Sequence, residues 1–454
     1  MNVSVIYLVI GAILAWVFFK TRNLKADDNE YFVLNKSEGV LGLTLSFYAS
    51  GMGLWILTSP AEVAWYGLGY DIYGYALSAA TPFVLIYIFG PKIADLLPNG
   101  VTLAQFVETK YGSIAQKLVS TVAVIYMSAF LIAEFASIGF VFSSISEVSG
   151  IVVSSLVALT TFLYLNNSGF KASYITDKLQ GYGIILLLTI VFGLWLSQNS
   201  VSEIITFANA GGLNSFETFS LKSALAVIIA VTAAEVFSTG YWQRTFSAEN
   251  ADVIKKASVF SGLGAFVTIL LLGIGGAVGA GKGLEVPSLS FINQLELNSF
   301  TTILLISLAT LLVTSSVDTL ENAISSTISI DIIRKKSKEA KLITLIVVVA
   351  ALFLSTQVTN IFNVFLVADL LATSLVFPAF YQIRKKSKNS QLLIPFIGSL
   401  LSVGFYRLNY IDLAENPGGL LIPTDLYGLA DLNTFAVALI SSTLITIVSS
   451  KLVR

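Results

Sequence analysis

Apolar stretches of about the length of a bilayer crossing follow one another along almost the whole chain, and the first, VSVIYLVIGAILAWVFF, carries no charge at all. Taking stretches long enough for a hydrocarbon layer roughly 30 Å thick, thirteen crossings are expected, at approximately 3–19, 39–59, 67–89, 115–144, 150–166, 173–197, 221–243, 257–280, 301–333, 341–356, 361–383, 391–406 and 433–450. Only 12% of the 454 residues are charged and the mean hydropathy is +0.82, whereas soluble domains carry about 25% charged residues. The expected class is an all-α polytopic membrane protein.

Charge placement tests that count independently, because cytoplasmic loops hold the excess of Lys and Arg. With the N-terminus outside and the C-terminus inside, 23 of the 26 basic residues fall on the inner side, leaving Lys222, Lys282 and Arg407 outside. The first stretch lacks a basic leader and is followed by Lys20, Arg22 and Lys25, so it reads as a retained anchor in a cell membrane rather than a cleaved signal. A net charge of −1 argues against a nucleic-acid partner. The absence of Cys and His removes disulfides, thiolate metal sites, thiol catalysis and the commonest general base. Segments between the crossings are short, which leaves membrane lipid and a small-molecule solute as the expected partners and no obligate protein partner. An enzyme is not expected.

Two crossings contain helix breakers. The second reads LGLTLSFYASGMGLWILTSP, with Gly51, Gly53 and Pro60; the seventh reads VTAAEVFSTGYWQR, with Gly240. Broken helices at matching places free backbone carbonyls to hold ions and solute near the bilayer midplane, while the plainer function of such glycines is close helix packing. Crossings two to six and seven to eleven then form two five-helix halves, inverted because an odd number of crossings separates them.

Acids recur at membrane depth: Glu62, Glu134, Asp177, Glu235, Asp318, Glu321 and Asp369. No Lys or Arg is expected deep among them. A carboxylate at a helix centre costs about 3 kcal/mol unless something offsets it. Each acid alone is explained by protonation or a hydrogen bond; the set is better explained by a water-lined cation pathway. In LLVTSSVDTLENAISSTISIDIIRKKSK (311–338), Leu312, Ser315, Ser316 and Thr319 share one helical face, with Asp318 one residue round. Converging hydroxyl and carbonyl oxygens suit a hard monovalent cation such as Na+.

Five motifs occur in an order that resembles the sodium:solute symporter family: ASGMG (49–53), TLAQFVETKYG (102–112), ASYITDKLQ (172–180), YWQR (241–244) and VTSSVDTLENAISSTISIDIIRK (313–335). The resemblance covers nearly all the chain after the first crossing and implies a LeuT-type inverted repeat with one extra N-terminal helix and two extra C-terminal ones. The implied divisions are an anchor and loop (1–38), a first repeat (39–200), a second repeat (201–388) and two closing helices (389–454). The implied Na+ site uses the carbonyls of Ala49, Met52 and Leu312 with the hydroxyls of Ser315 and Ser316. A second Na+ site is implied at Asp177, Asp318 and Thr319, although Asp318 stands where a serine is more familiar.

In this fold the solute lies beside the two breaks, which makes Trp55, Tyr75, Glu134, Glu235 and Thr239 the expected substrate contacts. Carboxylates without a base favour an amide such as urea, or an amine. SPAEVAWYG (59–67), SGFKASYITD (168–177) and TGYWQR (239–244) are similar to segments of the urea and polyamine branch, while the first core helix, GLWILTSP here, departs from it. The implied activity is Na+-coupled solute import. Proton coupling, or a sugar or amino-acid substrate, is the alternative within the family; a membrane solute sensor is less favoured, since the sequence ends at Arg454 soon after the last crossing.

Overall fold

A computed structural model describes residues 2–452 except 35, 335–336, 358–360, 412–418, 421 and 426–427. Among these residues the fold is helical, with two isolated β-bridges as the only strand-like pairing. The first crossing is α1 (Val3–Thr21). The second is divided into α2 (Val40–Gly51) and α3 (Ser59–Tyr66), followed by α4 (Gly69–Leu96), the short α5 (Leu103–Tyr111) and α6 (Ser113–Ile145). Next come α7 (Gly150–Gln198), the short α8 (Val201–Ala210), a second divided pair α9 (Thr218–Glu235) and α10 (Thr239–Ser247), and α11 (Ala251–Gly281). The chain closes with α12 (Ser299–Thr327), α13 (Ser337–Ser355), α14 (Ile361–Phe380), α15 (Ser390–Tyr410) and α16 (Leu432–Leu452).

Nine described helices are long and apolar enough to cross a membrane, or ten when α2 and α3 count as one bent span. Of the thirteen expected crossings, two fall in α7, and those at α13 and α14 are not among the nine. At 1.5 Å per residue, α7 would run about 74 Å as one rod, more than twice the bilayer core. It is two arms meeting at Gly169, whose φ of +50° and ψ of −130° leave the helical region. A side chain there would strike the Tyr31 carbonyl, which accepts a hydrogen bond from the Phe170 N–H at 2.9 Å. Glycine is therefore required at this corner.

Polar content dictates which helix is central. α12 carries the Thr–Ser–Asp–Glu–Asn segment, whose polar atoms cannot face lipid, and 83% of its most apolar window is buried, against 22% for the peripheral α1. It packs on α6, α7, α2 and α10.

Sequence reading did not anticipate α5, although TLAQ is a capping box: Thr102 Oγ1 accepts from the Gln105 N–H at 3.1 Å, and Gln105 Oε1 accepts from the Thr102 N–H. Its far end is moored to α14. The Tyr111 hydroxyl donates to Pro378 O at 2.6 Å, the Ser387 N–H donates to Lys110 O at 2.8 Å, and the buried Lys110 ammonium reaches the carbonyl of Tyr381.

Burial pushes Lys110 down to about 7, against about 10.4 in an unfolded chain. Between these values the folded protein holds fewer protons than the unfolded one, so stability rises with pH across that window and the gain is lost as pH falls through about 7. Thermal unfolding in detergent across this range should show that rise, and Lys110→Met should flatten it; an unchanged slope in the variant would remove Lys110 as its source.

Candidate binding site

The site is built where the two broken pairs meet α12. In the first break, Met52 and Gly53 leave helical geometry and a 3-10 turn over Leu54–Leu57 leads into α3, at 65° to α2. The second break is shorter, Val236–Ser238, and α10 beyond it is buried at every position. A side chain at Gly51 would meet the Tyr241 hydroxyl at 2.6 Å, and one at Gly240 would meet Thr319 Cγ2 at 2.8 Å, so the breaks and α12 touch through missing side chains.

Hydrogen bonding differs between the breaks. At the second, Phe237 and Ser238 donate to Ala234 O and Glu235 O, the Trp242 indole donates to Val236 O at 2.7 Å, and Arg244 Nη1 donates to Gly240 O at 2.8 Å. At the first, the Leu54 N–H donates to Glu134 Oε2 at 2.9 Å. The carbonyl oxygens of Ala49 and Met52 accept no hydrogen bond among the described residues. The break packs against α12, which carries Ser315 and Ser316. Ser315 Oγ donates to Asp177 Oδ1 at 2.9 Å, and Ser316 Oγ donates back to Leu312 O at 3.2 Å. Both hydroxyls therefore spend their proton elsewhere and keep lone pairs free.

Arg244 corrects the expectation that no base lies among the deep acids. Its guanidinium is fully buried and ion-paired with Asp177, and it also donates to Ser46 Oγ and Thr319 Oγ1, both at 2.8 Å. Ser46 in turn donates to Asp177 at 2.7 Å. The helical register of α10 explains this: starting after the break, it carries position 244 inward rather than to the membrane edge. Asp318 is bonded by Tyr164, by Ser173 Oγ at 2.7 Å and by Thr176 Oγ1 at 2.9 Å. The residues considered for a second Na+ are thus joined in one network that ties α2, α7, α10 and α12 together.

Bounded by both broken pairs lies a small cavity of about 50 Å³. Of the expected substrate contacts, Trp55, Tyr75 and Glu235 line it. Glu134 and Thr239 do not: Glu134 Oε2 accepts from the Leu54 N–H while its Oε1 is buried without a partner among the described residues, and Thr239 Oγ1 is hydrogen-bonded to Thr327 Oγ1 at 2.7 Å. Tyr126, Phe130, Tyr241 and Asp369 also line the cavity and were absent from the expected contacts. Asp369 was visible as a deep acid and Tyr241 as the residue after Gly240, whereas the break itself falls earlier, at Val236–Ser238, and nothing in the sequence singled out Tyr126 or Phe130. The Tyr126 and Tyr241 hydroxyls face Glu235, and the Trp55 ring makes edge contacts with Tyr75 and Phe130, centroids 6.1 and 6.5 Å apart. The Trp55 indole N–H is buried without an acceptor among the described residues.

No family model matches the chain. It is similar to the spermidine transporter DUR31 of Candida albicans, 24% identical over 99% of this chain and 89% of that one. It is also similar to the urea active transporter of Saccharomyces cerevisiae, 23% identical over 44% of this chain and 30% of that protein. Among solved structures, a Na+-coupled sialic acid symporter in a substrate-bound outward-open state superposes with a TM-score of 0.78 at 15% identity, covering 99% of this chain and 97% of that one. Mhp1, a nucleobase-cation-symport-1 family transporter in a closed conformation, gives 0.59 at 13% identity, covering 93% and 95%. The fold is that of LeuT-type symporters, and the relatives are transporters rather than enzymes.

Removing one partner of a buried ion pair strands the other at a cost of about 3–5 kcal/mol. Arg244→Met should therefore destabilise the protein by that order, and Arg244→Met with Asp177→Asn should recover part of the loss. Unfolding in detergent reads both; a double variant no more stable than the single one would show that the pair is not the coupled unit.

Proposed function

We propose, on the premise of a multi-pass membrane protein with a LeuT-type symporter fold, that this chain is a Na+-coupled importer of a small polar solute, either an amide such as urea or an amine. Thirteen crossings, the N-terminus outside, the C-terminus cytoplasmic and two inverted five-helix halves complete the reading. The observation that carries it is the run of unclaimed carbonyls at the first break, Ala49 and Met52 among them, packed on the helix that bears Ser315 and Ser316. Backbone oxygen left without a donor at membrane depth is costly, and an alkali cation held with Leu312 O and the two hydroxyls offsets that cost. Such an ion joins α2 to α12 and shapes the solute cavity just beyond the break. Inward rocking of one half against the other separates the two sets of oxygens and releases ion and solute. An inward Na+ gradient drives the cycle, each charge gaining about 2.3 kcal/mol per 100 mV.

Asp177 and Thr319 are already engaged by Arg244, which supports a single-ion cycle over the two-ion one. Proton coupling is favoured by two acids: Glu321 accepts from Thr161 at 3.0 Å yet its second oxygen is buried without a partner, and so is Glu134 Oε1, among the described residues. For the solute, the relatives carry spermidine and urea in their names. The cavity offers two carboxylates, each costing about 3 kcal/mol if left unpaired at mid-membrane, and one unpaired indole donor costing about 1–3 kcal/mol.

Uptake by proteoliposomes under separate Na+ and proton gradients tests the coupling. Na+-driven uptake is expected, and uptake indifferent to Na+ but driven by a proton gradient would transfer the cycle to the acids. Ser316→Ala should raise the Na+ concentration for half-maximal uptake about tenfold, the equivalent of ~1.4 kcal/mol, while leaving thermal unfolding in Na+-free buffer nearly unchanged. Unaltered Na+ dependence would remove Ser316 from the site.

A further inference from the structure

Three of the helices that wall the cavity between the breaks also wall a second space, on other faces. Tyr75 and Ser78 of α4, Val227 and Val231 of α9, and Leu366 of α14 line the cavity. Val84 and Phe89 of α4, Ile228 and Ile229 of α9, and Phe377 of α14 line a groove of about 600 Å³, completed by Leu439 of α16. Val84 is 52% exposed, so the groove opens on the lipid-facing side of the bundle. The hydroxyls that α4 and α9 contribute to its wall are engaged with each other: Thr81 Oγ1 and Thr232 Oγ1 share a hydrogen bond of 2.5 Å, and Thr81 also reaches Ser78 O at 3.1 Å. An open, apolar space whose polar groups are already paired, at membrane depth, suits hydrocarbon and not a polar solute.

One end of the groove has a different character. Beyond Phe380 the helix stops, Gln382 takes a φ of +50°, and the Lys385 N–H donates back to Gln382 O at 2.9 Å. Gln382 itself lines the groove. The turn therefore folds Lys385 back to the groove's mouth, and Arg384 stands two residues from Gln382, at most about 7 Å of chain. On the α4 wall, the Lys92 ammonium lies 5.8 Å from the centre of the Phe89 ring. Lys92, Arg384 and Lys385 are all exposed, and none of them takes part in an ion pair among the described residues. Asp95, one turn beyond Lys92, is unpaired with it. A greasy slot that ends in uncompensated cations where the helices leave the bilayer is complementary to a molecule with a hydrocarbon tail and an anionic head.

We propose that this groove is a binding site for an anionic phospholipid, with one acyl chain lying between α4, α9, α14 and α16 and the phosphate head held by Lys92, Arg384 and Lys385. The inference needs only that the chain lies in a bilayer, and it stands whichever solute or coupling ion the cavity takes.

The test is native mass spectrometry of the full chain released from detergent, titrated with phosphatidylglycerol or with phosphatidylcholine of the same acyl chains. Phosphatidylglycerol should be retained about tenfold better. Lys92→Gln combined with Arg384→Gln and Lys385→Gln should erase that preference, and these side chains are exposed, so the fold does not depend on them. Lys20→Gln with Lys25→Gln, at exposed positions on another loop, should leave it intact. Leu439→Trp, which fills the groove and keeps every charge, should lower retention of both lipids. Glycerol phosphate, a head without a tail, should not compete. Equal retention of the two lipids would overturn the proposal, as would an equal loss of preference in the Lys20 and Lys25 variant, the mark of diffuse attraction to the whole basic surface. Competition by glycerol phosphate, or lipid retention unchanged by Leu439→Trp, would overturn the placement of the acyl chain in the groove.

Discussion

A backbone that leaves the helix inside a bilayer must find partners for every N–H and C=O it frees, because lipid supplies none. Two breaks meet that demand in opposite ways. At Val236–Ser238 the Phe237 and Ser238 N–H groups donate to Ala234 O and Glu235 O, while Val236 O and Ser238 O accept from the Trp242 indole and the Tyr241 N–H. The break at Met52–Gly53 is capped on its donor side by Glu134 and left open on its acceptor side. That asymmetry is the ground for the ion site proposed at the first break, where the Glu134 carboxylate already holds the Leu54 N–H.

Charge is apportioned along the same line. Below the cavity, Asp177 is matched by Arg244 and the hydroxyls around it, a fully buried pair that holds four helices in register. Buried pairs of this kind contribute little net stability but penalise separation heavily, which suits a junction that must hold until a coordinated movement occurs. Facing the cavity, Glu235 and Asp369 have no such partner. Asp177 is thus neutralised within the protein, while Glu235 and Asp369 take part in no ion pair among the described residues.

Much of the scaffold was legible in the sequence, for physical reasons that can be named. Gly53 lies in the first break, Gly51 and Gly240 sit in the helix ends beside the breaks where a side chain would meet Tyr241 or Thr319, and the polar face of α12 could only be an interior one. Arg244 was misplaced: span counting assigns a base at the end of an apolar run to the membrane edge, and only the three-dimensional register after the second break shows it turned inward onto Asp177. Thr239 and Glu134 were read as solute contacts from their nearness to the breaks along the chain. Their bonding partners, Thr327 and Leu54, depend on how α10 and α6 rotate about their axes, which hydropathy does not encode. Tyr126 and Phe130 sit in the uniformly apolar α6, where nothing distinguishes a cavity wall from a packing face. The helix α5 was legible in principle from its Thr102–Gln105 cap.

The most direct measurement of the open acceptor side is a pair of cryo-electron microscopy maps of the full chain in lipid, one in sodium chloride and one in choline chloride. The account predicts a density peak present only with sodium, in contact with the carbonyl oxygens of Ala49 and Met52 and the hydroxyls of Ser315 and Ser316. Identical maps in which those two carbonyls accept hydrogen bonds from protein donors would contradict it.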